Sequence, residues 1–358
     1  MNGKPIGGDD NKVLVRKMVS IIIPTYNNEK YILDTLSSVF AQTYREYEVI
    51  VIDDGSTDST SECLKPYFDR IRYHYQNNQG LAVARNAGME MALGEYVTFL
   101  DGDDIWEPDN LRFKIKILSS MPNLGGVFSE FMVFNSEGIL NHRGTKSTFP
   151  YFKRTKRDFN NIFEECETVT INENKQLTLY SGNIFDELFM GNFILPSTMV
   201  FRKEYADTVG RFLPHLRTQQ DYEYWLRFSK MHSLGYIDEV LVKYRRHEKQ
   251  LTNFSNIKNI ITNVLEIISQ YEPEFNGKDN KRIFTRRKAE ILKDLAKVSI
   301  RLNDMDNARS LLLAGMHMNP LVIQNYFYYC LTYMPKDFMH WGVEVYRNVR
   351  TVTDEIKR

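Results

Sequence analysis

Four short strand-like runs, separated by helix-length stretches and each closed by a polar cluster, constrain this chain more than any other feature. Val19 to Ile23 is the first, stopped by Pro24. Glu48 to Ile52, Ile71 to Tyr75 and Tyr96 to Leu100 follow. The first two, short and rich in β-branched residues, read as buried strands, and the other two as strands. Between them, Glu29 to Phe40 places Ile32, Leu33, Leu36, Val39 and Phe40 on a helical stripe. Ser59 to Phe68 predicts a second helix, with Ser59 and Glu62 spaced as a capping box. Leu81 to Met91 predicts a third. Pro108 stands where a first helical turn accepts proline, ahead of a helix to about Ser120. Strands joined through helices pair in parallel. The expected class is therefore α/β, with a doubly wound, mostly parallel sheet.

Such sheets bind ligands at the carboxyl ends of their strands. Those ends carry Pro24-Thr25-Tyr26-Asn27, Asp53-Asp54-Gly55-Ser56, Asn77-Asn78-Gln79-Gly80 and Asp101-Gly102-Asp103-Asp104. The last cluster sets carboxylates on a tight turn. Hard oxygen donors suit Mg²⁺ or Mn²⁺, and such an ion stabilises a nucleoside diphosphate as a leaving group. The same residues also read as an acidic turn before the helix at Pro108, with Asp104 best suited to a structural part. A carboxylate at Asp53 or Asp54 can accept from a ribose hydroxyl or a base N–H. Asp58 or Ser59 fits a helix N-cap instead. Pro24 to Glu29 can supply backbone groups and the Tyr26 ring for a nucleobase. Arg85 suits either a phosphate or a surface ion pair.

The bulk numbers exclude several classes. Lys plus Arg equals Asp plus Glu at 46 each, so no global charge draws the chain to nucleic acid. Three scattered cysteines, Cys63, Cys166 and Cys330, give neither a zinc pair nor a disulfide framework, and fit a reducing compartment. No apolar run approaches the roughly 18 residues of a membrane span. Residues 1–16 read as a disordered leader, and Met1 to Lys12, polar and Gly-rich, is no signal peptide. The expected location is cytoplasmic, with contact at the inner face of a membrane left open.

Taken together, the motifs resemble family 2 of the inverting glycosyltransferases, which have the GT-A fold. The resemblance is carried by Val19 to Asn27, Val51 to Asp58, Gly80 with Ala84-Arg85-Asn86-Ala87-Gly88, and Phe99 to Asp104 followed by Trp106, Pro108 and Asp109. All stand in family order over about residues 18 to 120. The resemblance implies a UDP-type sugar donor. Pro24, Thr25, Tyr26, Asn27, Glu29, Asp54, Arg85, Asp101 and Gly102 would line its site. Asp103 would be the principal ligand of Mn²⁺ or Mg²⁺, with Asp101 beside it and His247, in Tyr244-Arg245-Arg246-His247, reaching toward the metal. Asp221, in Gln219-Gln220-Asp221-Tyr222-Glu223, would be the catalytic base. Gln220 stands there where the family often has Glu, and Glu223 is the alternative. Asp221 also reads as an N-cap. A metal-bound diphosphate leaves without a proton donor, so one base suffices and inversion is expected. The acceptor would be a glycan, a lipid-linked glycan or a protein, in a setting such as polysaccharide biosynthesis.

Beyond about residue 135 the pattern loosens. His142 to Arg157 is basic and aromatic, and reads as a phosphate- or membrane-facing segment or as a solvated loop. Asn192 to Ser197 is placed on the acceptor side. Residues 17–255 are expected to form the catalytic domain. Residues 256–358 are expected to be all-helical, and to carry any self-association into a homo-oligomer. Two rivals stay open. One is a non-catalytic scaffold that keeps the fold. The other is a sugar-1-phosphate nucleotidyltransferase, against which the missing Gly-rich loop after the first strand counts.

Overall fold

A computed structural model describes residues 18–248, 250, 256–275 and 277–335. The expected leader and the chain beyond 335 lie outside the described residues. The chain divides into two compact units. One holds the residues up to His215 with Tyr224–Arg246, and the other holds Leu216–Glu223 with the chain from His247 on. The expected boundary at 255 thus differs in two ways. His247, Glu248 and the short segment Leu216–Glu223 within the catalytic span all group with the helices.

The first unit is built on one mixed sheet. Its strands are β1 Val19–Thr25, β2 Tyr47–Asp53, β3 Arg72–Tyr75, β4 Tyr96–Phe99, β5 Ile105–Trp106, β6 Leu124–Asn135, β7 Gly138–Asn141, β8 Glu165–Asn172, β9 Lys175–Gly182, β10 Val200–Arg202 and β11 Ser233–Arg245. Their order is β3-β2-β1-β4-β10-β6-β11-β9-β8, with β5 on β11 and β7 on β6. The four strands read from the sequence form the parallel β3-β2-β1-β4 quartet. Every residue of β1 is buried because both faces are covered. Ile21 and Ile23 enter the main core with Leu36 and Val39 of helix Ile32–Phe40 and Leu111 of helix Asn110–Ser120. Ile22 meets Gly88 of helix Leu81–Met91 so closely that a Cβ there would lie 2.3 Å from its Cγ2. Each such buried aliphatic side chain contributes about 1.5–3 kcal/mol.

The sheet continues where the sequence pattern had faded. β10 runs antiparallel between β4 and β6, and β6 pairs in parallel with β11. That restores the quartet's direction, so β6 and β11 end on the same edge as β1, β2 and β4. The segment after β6 folds into short helices and the β8–β9 hairpin. Its basic run is largely neutralised from within. Arg143 pairs with Asp238 and Arg157 with Glu187, while Lys146 meets Asp158 at 2.5 Å. Arg154 donates to the Met190 carbonyl at 2.9 Å. Arg143, Lys146 and Arg157 stay about half exposed within these pairs.

The second unit contains helices Ile257–Gln270, Lys278–Arg301, Met305–Met318 and Ile323–Leu331. Ala296, Leu312 and Met316 form a small core in it, and Asp304 caps the third helix through the Asn307 N–H. Among the described residues, no helix is long and apolar enough to cross a membrane. Cys63, Cys166 and Cys330 are free thiols.

Candidate active site

Four loops leave the quartet at one edge and are tied to one another by side chains. Asn27, with a left-handed φ of 54°, donates its N–H to Ser56 Oγ at 3.0 Å. Its Oδ1 accepts from the Thr57 N–H at 2.8 Å and the Asp58 N–H at 3.3 Å. Glu29 accepts from the Ser59 N–H at 3.0 Å, and Asp58 accepts from the Glu29 N–H at 3.2 Å. The side chains of Asn27 and Glu29 therefore join the first loop to the second. Pro24 and Thr25 are buried in β1, and the Tyr26 ring, 47% exposed, is left at the surface. The capping box does not form, because Ser59 makes no side-chain cap bond. Asp58 accepts from the Thr60 N–H at 3.0 Å instead. Partial burial pushes the Asp58 carboxyl up. The hydrogen bonds from Thr60 and Glu29 outweigh that and hold it below the usual range.

Asp54 organises the third loop. Its carboxylate accepts from Gln76 Nε2 at 2.6 Å, the Gln79 N–H at 2.9 Å and the Gly80 N–H at 2.8 Å. Gly80 precedes helix Leu81–Met91, so the charge also complements the positive end of that helix. Gly55 is required where these loops meet. Its φ is 81°, and a Cβ on it would lie 2.7 Å from the Asn78 backbone nitrogen. Asp53, fully buried, is held by the Ser56 N–H and the Tyr73 hydroxyl, both at 2.8 Å.

The acidic turn after β4 is fixed from behind. Arg85, 1% exposed, donates from Nη2 to Asp101 Oδ1 at 2.9 Å. Its Nε and Nη1 are buried with no hydrogen-bond partner among the described residues, and the rings of Phe99 and Phe212 flank the guanidinium. The charge thus lies behind Asp101 rather than at the surface. The Asp101 N–H donates to Ser197 Oγ at 3.2 Å, and Ser197 donates to Asp104 Oδ2 at 2.6 Å. The Arg245 N–H meets Asp104 Oδ1 at 3.1 Å. Its Nε reaches the Asp103 carbonyl at 2.8 Å, and Nη2 pairs with Asp34 at 2.9 Å. Asp104 is fully buried. Burial, then the charges of Asp103 and Asp101, push its carboxyl well above the usual range. Asp104 is a structural post, and Asp101 and Asp103 are the half-buried carboxylates of the turn. Gly102 packs on Thr25 and Asn28.

Asp221 is half-buried in the first turn of helix Gln220–Met231, after Gln219 with its φ of 63°. Glu223 is buried. His247 stands two residues beyond β11 and is half-buried. Among the described residues no three His, Cys, Asp or Glu side chains form a group able to hold a metal. Ser197 and Arg245 are the site-building residues that sequence reasoning missed. Ser197, expected on the acceptor side, anchors the turn through its hydroxyl. The Tyr244 to His247 segment did flag the neighbourhood of Arg245.

A sequence profile for glycosyl transferase family 2 matches residues 20–175. The putative teichuronic acid biosynthesis glycosyltransferase TuaG of Bacillus subtilis is 31% identical over 235 residues, 64% of this chain and 79% of that protein. The chain belongs to glycosyl transferase family 2. This transferase has the GT-A fold of solved relatives. S. aureus TarS 1–349, solved with UDP-GlcNAc, superposes with a TM-score of 0.53 at 18% identity, covering 88% of this chain and 90% of that one. The mannosyltransferase PcManGT of Pyrobaculum calidifontis, solved with GDP-Man and Mn²⁺, gives 0.51 at 16%, covering 91% and 83%.

Proposed function

We propose that this glycosyltransferase moves a hexosyl group from a UDP-type nucleotide sugar to an acceptor hydroxyl, with inversion at the anomeric carbon. The observation that carries this reading is the acidic turn. Asp101 and Asp103 stand at the edge where four tied loops gather, and Arg85, Ser197 and Arg245 lock them in place. The donor set suits Mn²⁺ or Mg²⁺. Its atoms are hard oxygens, and their crowded charge is felt at Asp104. An ion of this kind is commonly bound through one or two carboxylates, which is what this turn would offer. When bound, it would neutralise charge on the departing diphosphate. Asp103 and Asp101 would hold it, and His247 is the further residue proposed to approach it.

The rest falls to the chain itself. Tyr26 offers a ring face to the nucleobase. Asp54 shapes the loop from Gln76 to Gly80 that borders the nucleoside, and one of its lone pairs remains for a donor. Asp221 takes the proton from the acceptor hydroxyl as that oxygen attacks the face opposite the diphosphate. UDP-GlcNAc in TarS supports the UDP reading, and Mn²⁺ in PcManGT supports the metal. The acceptor class we propose is a glycan, lipid-linked glycan or protein, met on the cytoplasmic side or at the inner face of a membrane. The name of TuaG supports polysaccharide assembly.

Calorimetry tests the division of labour. Asp103→Ala is expected to abolish the Mn²⁺-dependent part of UDP binding. Asp221→Asn is expected to bind UDP normally and to retain less than about a tenth of wild-type turnover, the scale of a lost general base. Unchanged Mn²⁺-dependent binding in the first variant, or higher turnover in the second, would contradict these roles.

A further inference from the structure

Arg85 and Asn86 are adjacent in helix Leu81–Met91, and each grips a different loop. Arg85 holds Asp101. Asn86, also buried, clamps one residue of a distant segment. Its Nδ2 donates to the Phe212 carbonyl at 2.9 Å, and its Oδ1 accepts from the Phe212 N–H at 2.9 Å. The Phe212 ring then stacks on Tyr224 at 4.1 Å and 11°. The residues before Phe212 are held as well. Arg227 donates from Nη1 to the Val209 carbonyl at 2.5 Å and from Nη2 to the Arg211 carbonyl at 2.7 Å. Tyr224 and Arg227 both belong to helix Gln220–Met231, whose first turn carries Asp221.

We propose that Asn86 is a positioning residue for the transfer reaction, tying the helix that bears Asp221 to the same helical turn that fixes Asp101. The catalytic part of this inference rests on the reading of Asp221 as the base. The clamp itself does not. A primary amide suits the task because it presents one acceptor and a pair of donors, matching the backbone N–H and C=O of a single residue. Aspartate has nearly the same shape but, when ionised, only accepts, so it would set an anion against the Phe212 carbonyl. Alanine would leave both Phe212 groups buried and unsatisfied.

The test uses the full chain with UDP and Mn²⁺, below the melting point of every variant. For Asn86→Ala and Asn86→Asp, amide exchange in peptides spanning 209–231 should accelerate at least about tenfold. UDP affinity should stay within about twofold. Turnover of whichever UDP-sugar the wild type hydrolyses should fall about tenfold or more with little change in KM. Phe212→Leu keeps the backbone clamp and removes the stack, so it should reproduce the turnover loss more weakly, and it serves if the Asn86 variants fail to fold. Unchanged exchange at 209–231 would overturn the clamp. Faster exchange with full kcat, while Asp221→Asn is inactive, would overturn the positioning role alone. An active Asp221→Asn would instead overturn the base assignment and leave the exchange result standing. A joint loss of UDP affinity and turnover would move Asn86 to the donor site and overturn the proposal.

Discussion

The Arg85–Asp101 pair is lopsided, and the asymmetry has consequences. The Arg85 side chain is 1% exposed and that of Asp101 is 27% exposed. Removing Asp101 strands a buried cation, whereas removing Arg85 leaves a carboxylate that water can reach. Asp101→Ala should therefore destabilise the fold by about 3–5 kcal/mol and Arg85→Met by clearly less, read from denaturant midpoints. Equal losses would refute this account of the pair. Asp58 gives a pH signature. Its folded pKa is depressed, so its contribution is present above the unfolded value of about 3.9 and is lost as pH falls through the folded value. Wild type should lose more stability than Asp58→Asn between pH 6 and about pH 3, and parallel curves would contradict that. The sequence showed which carboxylates cluster at the strand ends. It did not show that Asn27, Glu29 and Asp54 hold neighbouring loops, because their partners lie 22 to 31 residues away and only the sheet brings them together.

At the scale of elements, β1, β2 and β4 were legible because short, largely buried strands read as near-continuous apolar runs, whereas the mostly exposed β3 and helix Leu81–Met91 were legible from their place in the strand–helix alternation. β6 was not. It opens on Leu124 followed by Gly125 and Gly126, and carries Ser129 and Glu130 in its middle. Glu130 is tolerated there because its carboxylate accepts from the Thr145 N–H at 2.8 Å and the Tyr236 hydroxyl at 3.1 Å. Those partners come from helix Gly144–Thr148 and from β11, beyond the reach of local pattern. Helix Asn110–Ser120 hides a similar exception. Lys114 is fully buried against Asn110 Oδ1 at 2.5 Å, and burial pulls its ammonium well below the usual lysine range. The unfolded chain then binds more protons than the folded one, so stability rises with pH through that window until the unfolded lysine titrates near about 10.4. Lys114→Met should raise stability at neutral pH by about 1–3 kcal/mol and flatten that rise. A lower melting temperature would show that the amine's bond to Asn110 outweighs its desolvation.

The molecule as a whole was legible as an α/β catalytic unit followed by helices, and the profile match falls on the strands from which that was read. The zero net charge agrees with a ligand held by local charge at one loop cluster. The central claim is that this cluster activates a nucleotide sugar with a divalent ion. The direct test is to incubate the whole protein with UDP-, GDP- and dTDP-sugars and Mn²⁺, and to follow nucleotide release with and without EDTA. The expected result is slow release from one UDP-sugar, stopped by EDTA. No release from any donor, together with no nucleotide binding by calorimetry, would contradict the claim and favour a scaffold that keeps the fold without the chemistry.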